Sequence, residues 1–89
     1  MKYALFYTKK AWSDLQELNL SDSRRIVTKL RYFLEQPDPM QYSKSLKGIY
    51  KGLHRFRVGN YRAIFSKDAK GKLTVLTIIR VMHRKDVYQ

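Results

Sequence analysis

Leu53-His54-Arg55-Phe56-Arg57-Val58-Gly59-Asn60-Tyr61-Arg62-Ala63-Ile64-Phe65-Ser66 is the stretch that decides how this chain folds. Its centre, Gly59-Asn60, tolerates positive φ and suits a two-residue hairpin turn between two strands. With that turn, Val58 faces Tyr61, Arg57 faces Arg62, Phe56 faces Ala63 and Arg55 faces Ile64, because cross-strand partners step outward together. Side chains alternate sides along a strand. Phe56, Val58, Tyr61 and Ala63 therefore share an apolar face, and Arg55, Arg57 and Arg62 share the opposite one. Like charges placed opposite or diagonal to one another weaken a sheet. An anionic partner would relieve that cost, and the plainer alternative is a solvated arginine face.

The composition sharpens the expectation. Among 89 residues, 19 Lys and Arg oppose 7 Asp and Glu, a formal charge of +12. Such an excess favours nucleic acid or another acidic partner. It is also unevenly placed: residues 1–38 hold seven basic and five acidic residues, whereas residues 39–67 hold seven basic residues and no acid. The positive field is thus centred on the hairpin and its approach.

The length suits one domain, 1–89, with a modest core. The absence of cysteine excludes disulfides and thiolate chemistry. The opening MKYALFYTKK lacks a signal-peptide core, and no run reaches membrane-spanning length. An intracellular, cytoplasmic protein with no membrane partner is the expectation.

In chain order, the aromatic-rich Lys2 to Tyr7 reads as a strand, and Thr8 as the N-cap of a helix over Lys9 to Leu18. Ala11, Leu15 and Leu18 form that helix's apolar stripe, with Asp14 and Glu17 outside it and Trp12 at its boundary. Ser21 or Asp22 caps a second helix, Ser23 to Gln36, with Ile26, Val27, Leu30, Phe33 and Leu34 on one face and Pro37 as its stop. The short link between them predicts an antiparallel helical pair. Pro37 to Ser45 reads as a loop and Lys67 to Lys72 as a turn. Leu73 to Met82, apolar on both alternating sets, reads as a central strand, followed by a short polar tail. The fold class is α+β, in the order β-α-α-β-β-β: two N-terminal helices on one face of a small, mainly antiparallel sheet.

Catalytic groups are few. There is no His and carboxylate cluster with metal-ligand spacing, no Gly-rich phosphate loop before a helix, and no Ser or Cys beside a base. Neither a metal nor a cofactor is expected. Clustered arginines offer fixed donors to phosphate oxygens and could stabilise the charge of a phosphorane. Cleavage of RNA by its own 2′-OH needs little more than such cations and a proton carrier, for which His83 or Tyr88 is available. His54 points with Phe56 toward the helix side and is structural, and Tyr61 belongs to the core. Tyr42 and Tyr50 either stack on bases or cover the sheet edge.

Arg55-Phe56-Arg57-Val58-Gly59-Asn60-Tyr61-Arg62, followed after a strand by Val81-Met82-His83-Arg84-Lys85-Asp86-Val87-Tyr88, resembles the RelE/ParE superfamily of toxin-antitoxin toxins. Phe6 to Leu18 and Leu46-Lys47-Gly48 carry the same resemblance, which covers nearly the whole chain. It implies a ribosome-dependent endoribonuclease, most like RelE, that cuts mRNA in the A site. It also implies silencing by a RelB-like antitoxin with an acidic or amphipathic segment. By position, Arg62 and Arg84 resemble the arginines assigned to phosphate stabilisation, and Tyr88 the C-terminal tyrosine. Arg55 and Arg57 stand where RelE-type members carry lysines, and an arginine is a poor general base. The catalytic set expected is thus Arg62, Arg84, His83 and Tyr88, with Arg55, Arg57, Lys44, Lys47 and Lys51 contacting RNA or ribosome. A toxin free of its antitoxin is expected to be monomeric. The alternatives are a ParE-like inhibitor of DNA gyrase, whose members generally lack the tail, and a non-catalytic RNA-binding module.

Overall fold

The computed structural model describes residues 2–87; Met1, Tyr88 and Gln89 lie outside the described residues. A first strand, β1 (Lys2–Tyr7), leads into helices α1 (Lys9–Gln16) and α2 (Leu20–Leu34). Then come β2 (Ser43–Ser45), β3 (His54–Val58), β4 (Tyr61–Lys70), β5 (Leu73–His83) and a final turn of helix, α3 (Arg84–Val87). The strands form one sheet in the order β1-β5-β4-β3-β2, with β1 and β5 parallel and every other pair antiparallel. The expected α+β class and the two-helix layer hold.

The hairpin register is the one that alternation implies: Val58 pairs with Tyr61, Arg57 with Arg62, Phe56 with Ala63 and Arg55 with Ile64. Only Gly59 of the turn has positive φ, +59°, the glycine-first pattern of a II′ turn. Phe56 and Phe65 stack at 4.4 Å, and Phe33 from α2 stacks on Phe56 at 5.0 Å. Around them Ala11, Leu15, Ile26, Leu30, Val58, Ala63, Leu76, Ile78 and Val81 close the core between helices and sheet. Tyr42 lies on Phe33 at 4.9 Å and so covers this core.

Thr8 joins three elements. Its N–H donates to Ile78 O (2.9 Å), its hydroxyl donates to Ile79 O (3.1 Å) and accepts from Ala11 N–H (3.1 Å), capping α1. Ile79 is the extra residue of a bulge, since the β4–β5 ladder passes from Ile64–Arg80 to Phe65–Ile78. Past that point β1 has ended and α1 takes its place beside β5. Asp14, expected outside the apolar stripe, is instead buried there: its carboxylate accepts Val81 N–H at 2.9 Å and Arg80 Nε at 2.8 Å. A backbone donor that would have lacked a strand partner is thereby satisfied.

Several boundaries differ from the sequence expectation. Asn19, rather than Ser21 or Asp22, caps α2, its side chain accepting Asp22 N–H at 2.8 Å. Pro37 to Ser45 is not all loop, because Pro39–Tyr42 makes a 3-10 turn and Ser43–Ser45 adds the edge strand β2. The Lys67 to Lys72 turn shrinks to Gly71-Lys72, since β4 runs on to Lys70 opposite Leu73. The short polar tail begins as the last residue of β5 and one turn of helix, α3. The element order therefore gains the strand β2, the final turn α3 and two 3-10 turns, Pro39–Tyr42 and Gly48–Tyr50.

Candidate functional site

The sheet face turned away from the helices carries Arg55, Arg57 and Arg62, as alternation requires. Strand β2 enlarges it: Lys44 stands directly opposite Arg55, so a second like-charge pair flanks the Arg57–Arg62 pair. Lys44, Lys47, Lys51 and Arg57 are exposed, whereas Arg55 is half-buried, its Nε enclosed without a hydrogen-bond acceptor among the described residues.

Arg62 lies deepest. It is only 8% exposed, and its Nη1 reaches back to the carbonyl oxygens of Gly59 (3.5 Å) and Tyr61 (3.3 Å). These contacts are at the long limit for a hydrogen bond. The same turn seats the tail, since Arg84 N–H donates to Asn60 O at 2.7 Å. Arg84 itself is exposed. The backbone of Arg84 is thus tied to the hairpin turn next to Arg62.

The face is not bare. Leu46, Tyr50 and Leu53 fold over Ile64 and Met82 to make a small second apolar cluster. The Tyr50 hydroxyl lies 3.8 Å from Met82 Sδ, so this tyrosine covers the sheet.

His83 is not gathered with the arginines. Opposite Tyr61 in the ladder, it turns to the helix side, its ring meeting Tyr61 edge-on at 5.6 Å. Its Nδ1 accepts Lys85 N–H at 3.2 Å. Tyr61 packs against the core and donates its hydroxyl to Asp22 Oδ2 at 3.0 Å, and that bond, with burial, pushes its pKa up. His83 and Tyr61 line a groove with Asp14, Glu17, Arg80 and Asp86. His54 stacks on Phe65 at 5.5 Å, and burial, with the charge of Lys67, lowers its pKa. Tyr88 lies outside the described residues.

Sequence reasoning missed the Asp14–Arg80 pair. Burial would raise the Asp14 carboxyl, but hydrogen bonds from Arg80 and Val81 and the charges of Arg80 and Lys10 outweigh it and hold the pKa below the usual value. No local signal marks this pair, because its members are 66 positions apart.

An apolar groove also opens between α1 and α2, lined by Trp12, Leu15, Leu18, Leu20 and Val27. Trp12 and Leu20 are exposed along it. Among the described residues no three His, Asp or Glu side chains converge to hold a metal ion. No described helix is long and apolar enough to cross a membrane.

Residues 5–88 match the family model for the ParE toxin of type II toxin-antitoxin systems, parDE. No curated protein sequence matches the chain. Among solved structures, the chain is similar to the archaeal RelE–RelB complex from Pyrococcus horikoshii, at 28% identity and TM-score 0.70, over 98% of this chain and 100% of that one. The toxin-antitoxin complex RelBE2 from Mycobacterium tuberculosis is 26% identical with TM-score 0.66, over 94% of this chain and 100% of that one. The YoeB/ParE toxin from Agrobacterium tumefaciens, 21% identical with TM-score 0.64 over 93% and 98%, shares the fold.

Proposed function

Since the chain belongs to the ParE toxin family of type II toxin-antitoxin systems, we propose that it is a toxin of the RelE kind, an endoribonuclease that cuts mRNA on the ribosome. The observation that carries this reading is the Arg57–Arg62 pair on the sheet face that the helices leave uncovered, with the backbone of the exposed Arg84 hydrogen-bonded to the turn of the same hairpin. Exposed Lys44, Lys47 and Lys51 extend the same positive field along the approach. Such a surface attracts RNA backbone by counterion release and offers several rigid donors to one phosphate.

The reaction is attack of an RNA 2′-OH on the adjacent phosphorus, with the 5′ oxygen leaving. Arg84 and Arg57 meet the scissile phosphate from the solvent side. Arg62 joins them by exchanging its long contacts to the Gly59 and Tyr61 carbonyls for a phosphate oxygen, an anionic and hence stronger acceptor. Arg55 and the lysines hold the flanking backbone. Three guanidinium groups stabilise the doubly charged phosphorane, so the rate rests mainly on electrostatics and positioning. His83 or Tyr88 supplies proton transfer; His83 must turn from Tyr61 to do so. The ribosome aligns the mRNA for in-line attack in the A site.

The partner of the free toxin is an antitoxin. Its acidic or amphipathic segment covers the arginine face or displaces the tail, and the groove between α1 and α2 suits its apolar side. This reading is supported by the similarity to toxin-antitoxin complexes.

A second reading, inhibition of DNA gyrase, is favoured by the family model that matches. The two separate on the arginines. Arg84→Ala and Arg57→Ala are expected to lower ribosomal mRNA cleavage by about 100-fold or more, as loss of a transition-state donor does. Full cleavage by both variants would remove this site from the reaction.

A further inference from the structure

We propose that Ile49 is an apolar contact for RNA bases, held out between Lys47 and Lys51 at the tip of a braced loop beside the arginine face. The inference rests on RNA being the ligand of that face. Ile49 is 81% exposed, more than any other large apolar side chain described. Single apolar residues on a surface are ordinary. The way this one is presented is not.

The loop from Leu46 to Leu53 is tied at its base and across its middle. Leu46 N–H donates to Leu53 O and Leu53 N–H to Tyr50 O, both at 3.0 Å, and Lys51 N–H donates to Gly48 O at 3.1 Å. Gly48 and Gly52, at φ +68° and +92°, supply the two bends. Leu46, Tyr50 and Leu53 then point down onto Ile64 and Met82. With its apolar neighbours committed downward, the 3-10 turn Gly48–Tyr50 holds Ile49 outward.

The surroundings select the occupant. Lys44, Lys47 and Lys51 are exposed and make no ion pair among the described residues. A membrane would need a wide apolar face, which one isoleucine does not provide. Single-stranded RNA presents apolar base faces between phosphates. An aliphatic wedge flanked by cations fits it, the isoleucine against an unstacked base and the lysines on the backbone.

Charge and apolar contact leave different signatures. Neutralising a phosphate contact flattens the dependence of log K on log salt by about 0.7 per contact on single strands, whereas an apolar contact releases no counterions. The experiment measures binding of the full chain to a fluorescent single-stranded RNA of mixed sequence between about 50 and 200 mM salt. A base-free oligoribose phosphate of equal length is the second probe, and Leu73→Ser, at another exposed apolar position, is the control.

Ile49→Ser is expected to weaken RNA binding about tenfold at every salt with the slope unchanged, consistent with losing burial of one aliphatic side chain. On the base-free probe it should match the unmutated chain. Lys47→Gln with Lys51→Gln should flatten the slope. If the unmutated chain binds RNA and Ile49→Ser binds equally well, or Leu73→Ser weakens binding as much, the contact is refuted while the RNA reading stands. If the unmutated chain binds no free RNA at any salt, the contact is refuted, and the ribosomal reading is decided separately by cleavage on ribosomes.

Discussion

Arg57 and Arg62 stand directly opposite one another in the β3–β4 ladder, yet Arg57 is exposed and Arg62 is buried against its own turn. The pair therefore divides its work. Arg62 is held in place by the hairpin, and Arg57 projects from it into solvent. Replacing Arg57 by Gln removes a like-charge neighbour and is expected to stabilise the fold by about 0.2–1 kcal/mol. Urea unfolding measures the gain, and RNA binding by the same variant should fall. A variant both less stable and unimpaired in binding would contradict the assignment.

Asp14 should prove a structural residue of the first rank. Asp14→Ala strands Val81 N–H and leaves Arg80 without its carboxylate, at a cost of about 2–3 kcal/mol. Asp14→Asn keeps an acceptor for Val81 and should lose less. Thermal melts of both variants, compared with Arg80→Ala, test whether the three groups act as one unit.

The pH dependence has a definite sign. His54 and Asp14 both have folded pKa values below their ordinary ones. Each group binds protons more weakly in the folded chain, so each contributes stability above its unfolded pKa and loses it as pH falls through the folded value. Loss from His54 begins below about pH 6.5, and loss from Asp14 below about pH 3.9. Chemical denaturation from neutral to acid pH should show the first decline vanish in His54→Phe and the second in Asp14→Asn.

Gly59 supports the turn that seats both Arg62 and the tail. Its φ of +59° is strained for other residues, and a Cβ there would lie 3.2 Å from Arg25 Nη2. Gly59→Ala is expected to cost about 1–2 kcal/mol. Arg25 is exposed and can shift, so Gly59→Ala with Arg25→Ala should recover little of that loss. Equilibrium unfolding of the two variants separates backbone strain from the steric contact.

The parts legible in the sequence are those set by local pattern. Gly59-Asn60 and the alternation around it specified the hairpin register, and the apolar periodicity of Ile26, Leu30 and Phe33 specified the buried side of α2. The helix start at Leu20 was obscured because Ser21 and Asp22 are as good capping residues as Asn19. Ser43–Ser45 and Lys67–Lys70 are polar strands whose extension comes from pairing with a neighbour, so composition did not mark them. The depth of Arg62 and the burial of Asp14 were hidden for a related reason. Alternation assigns a side of the sheet, but whether a side chain there meets water depends on segments far along the chain.

The activity proposed for this toxin is cleavage of mRNA in the ribosome. It is tested most directly by mapping mRNA 5′ ends by primer extension after incubation with the purified chain, with and without ribosomes, beside a gyrase supercoiling assay on the same preparation. New 5′ ends that need ribosomes and are lost in Arg62→Ala and Arg84→Ala, with supercoiling untouched, are the expected result. Inhibited supercoiling with intact mRNA would rule out that activity and assign the arginine face to a different target.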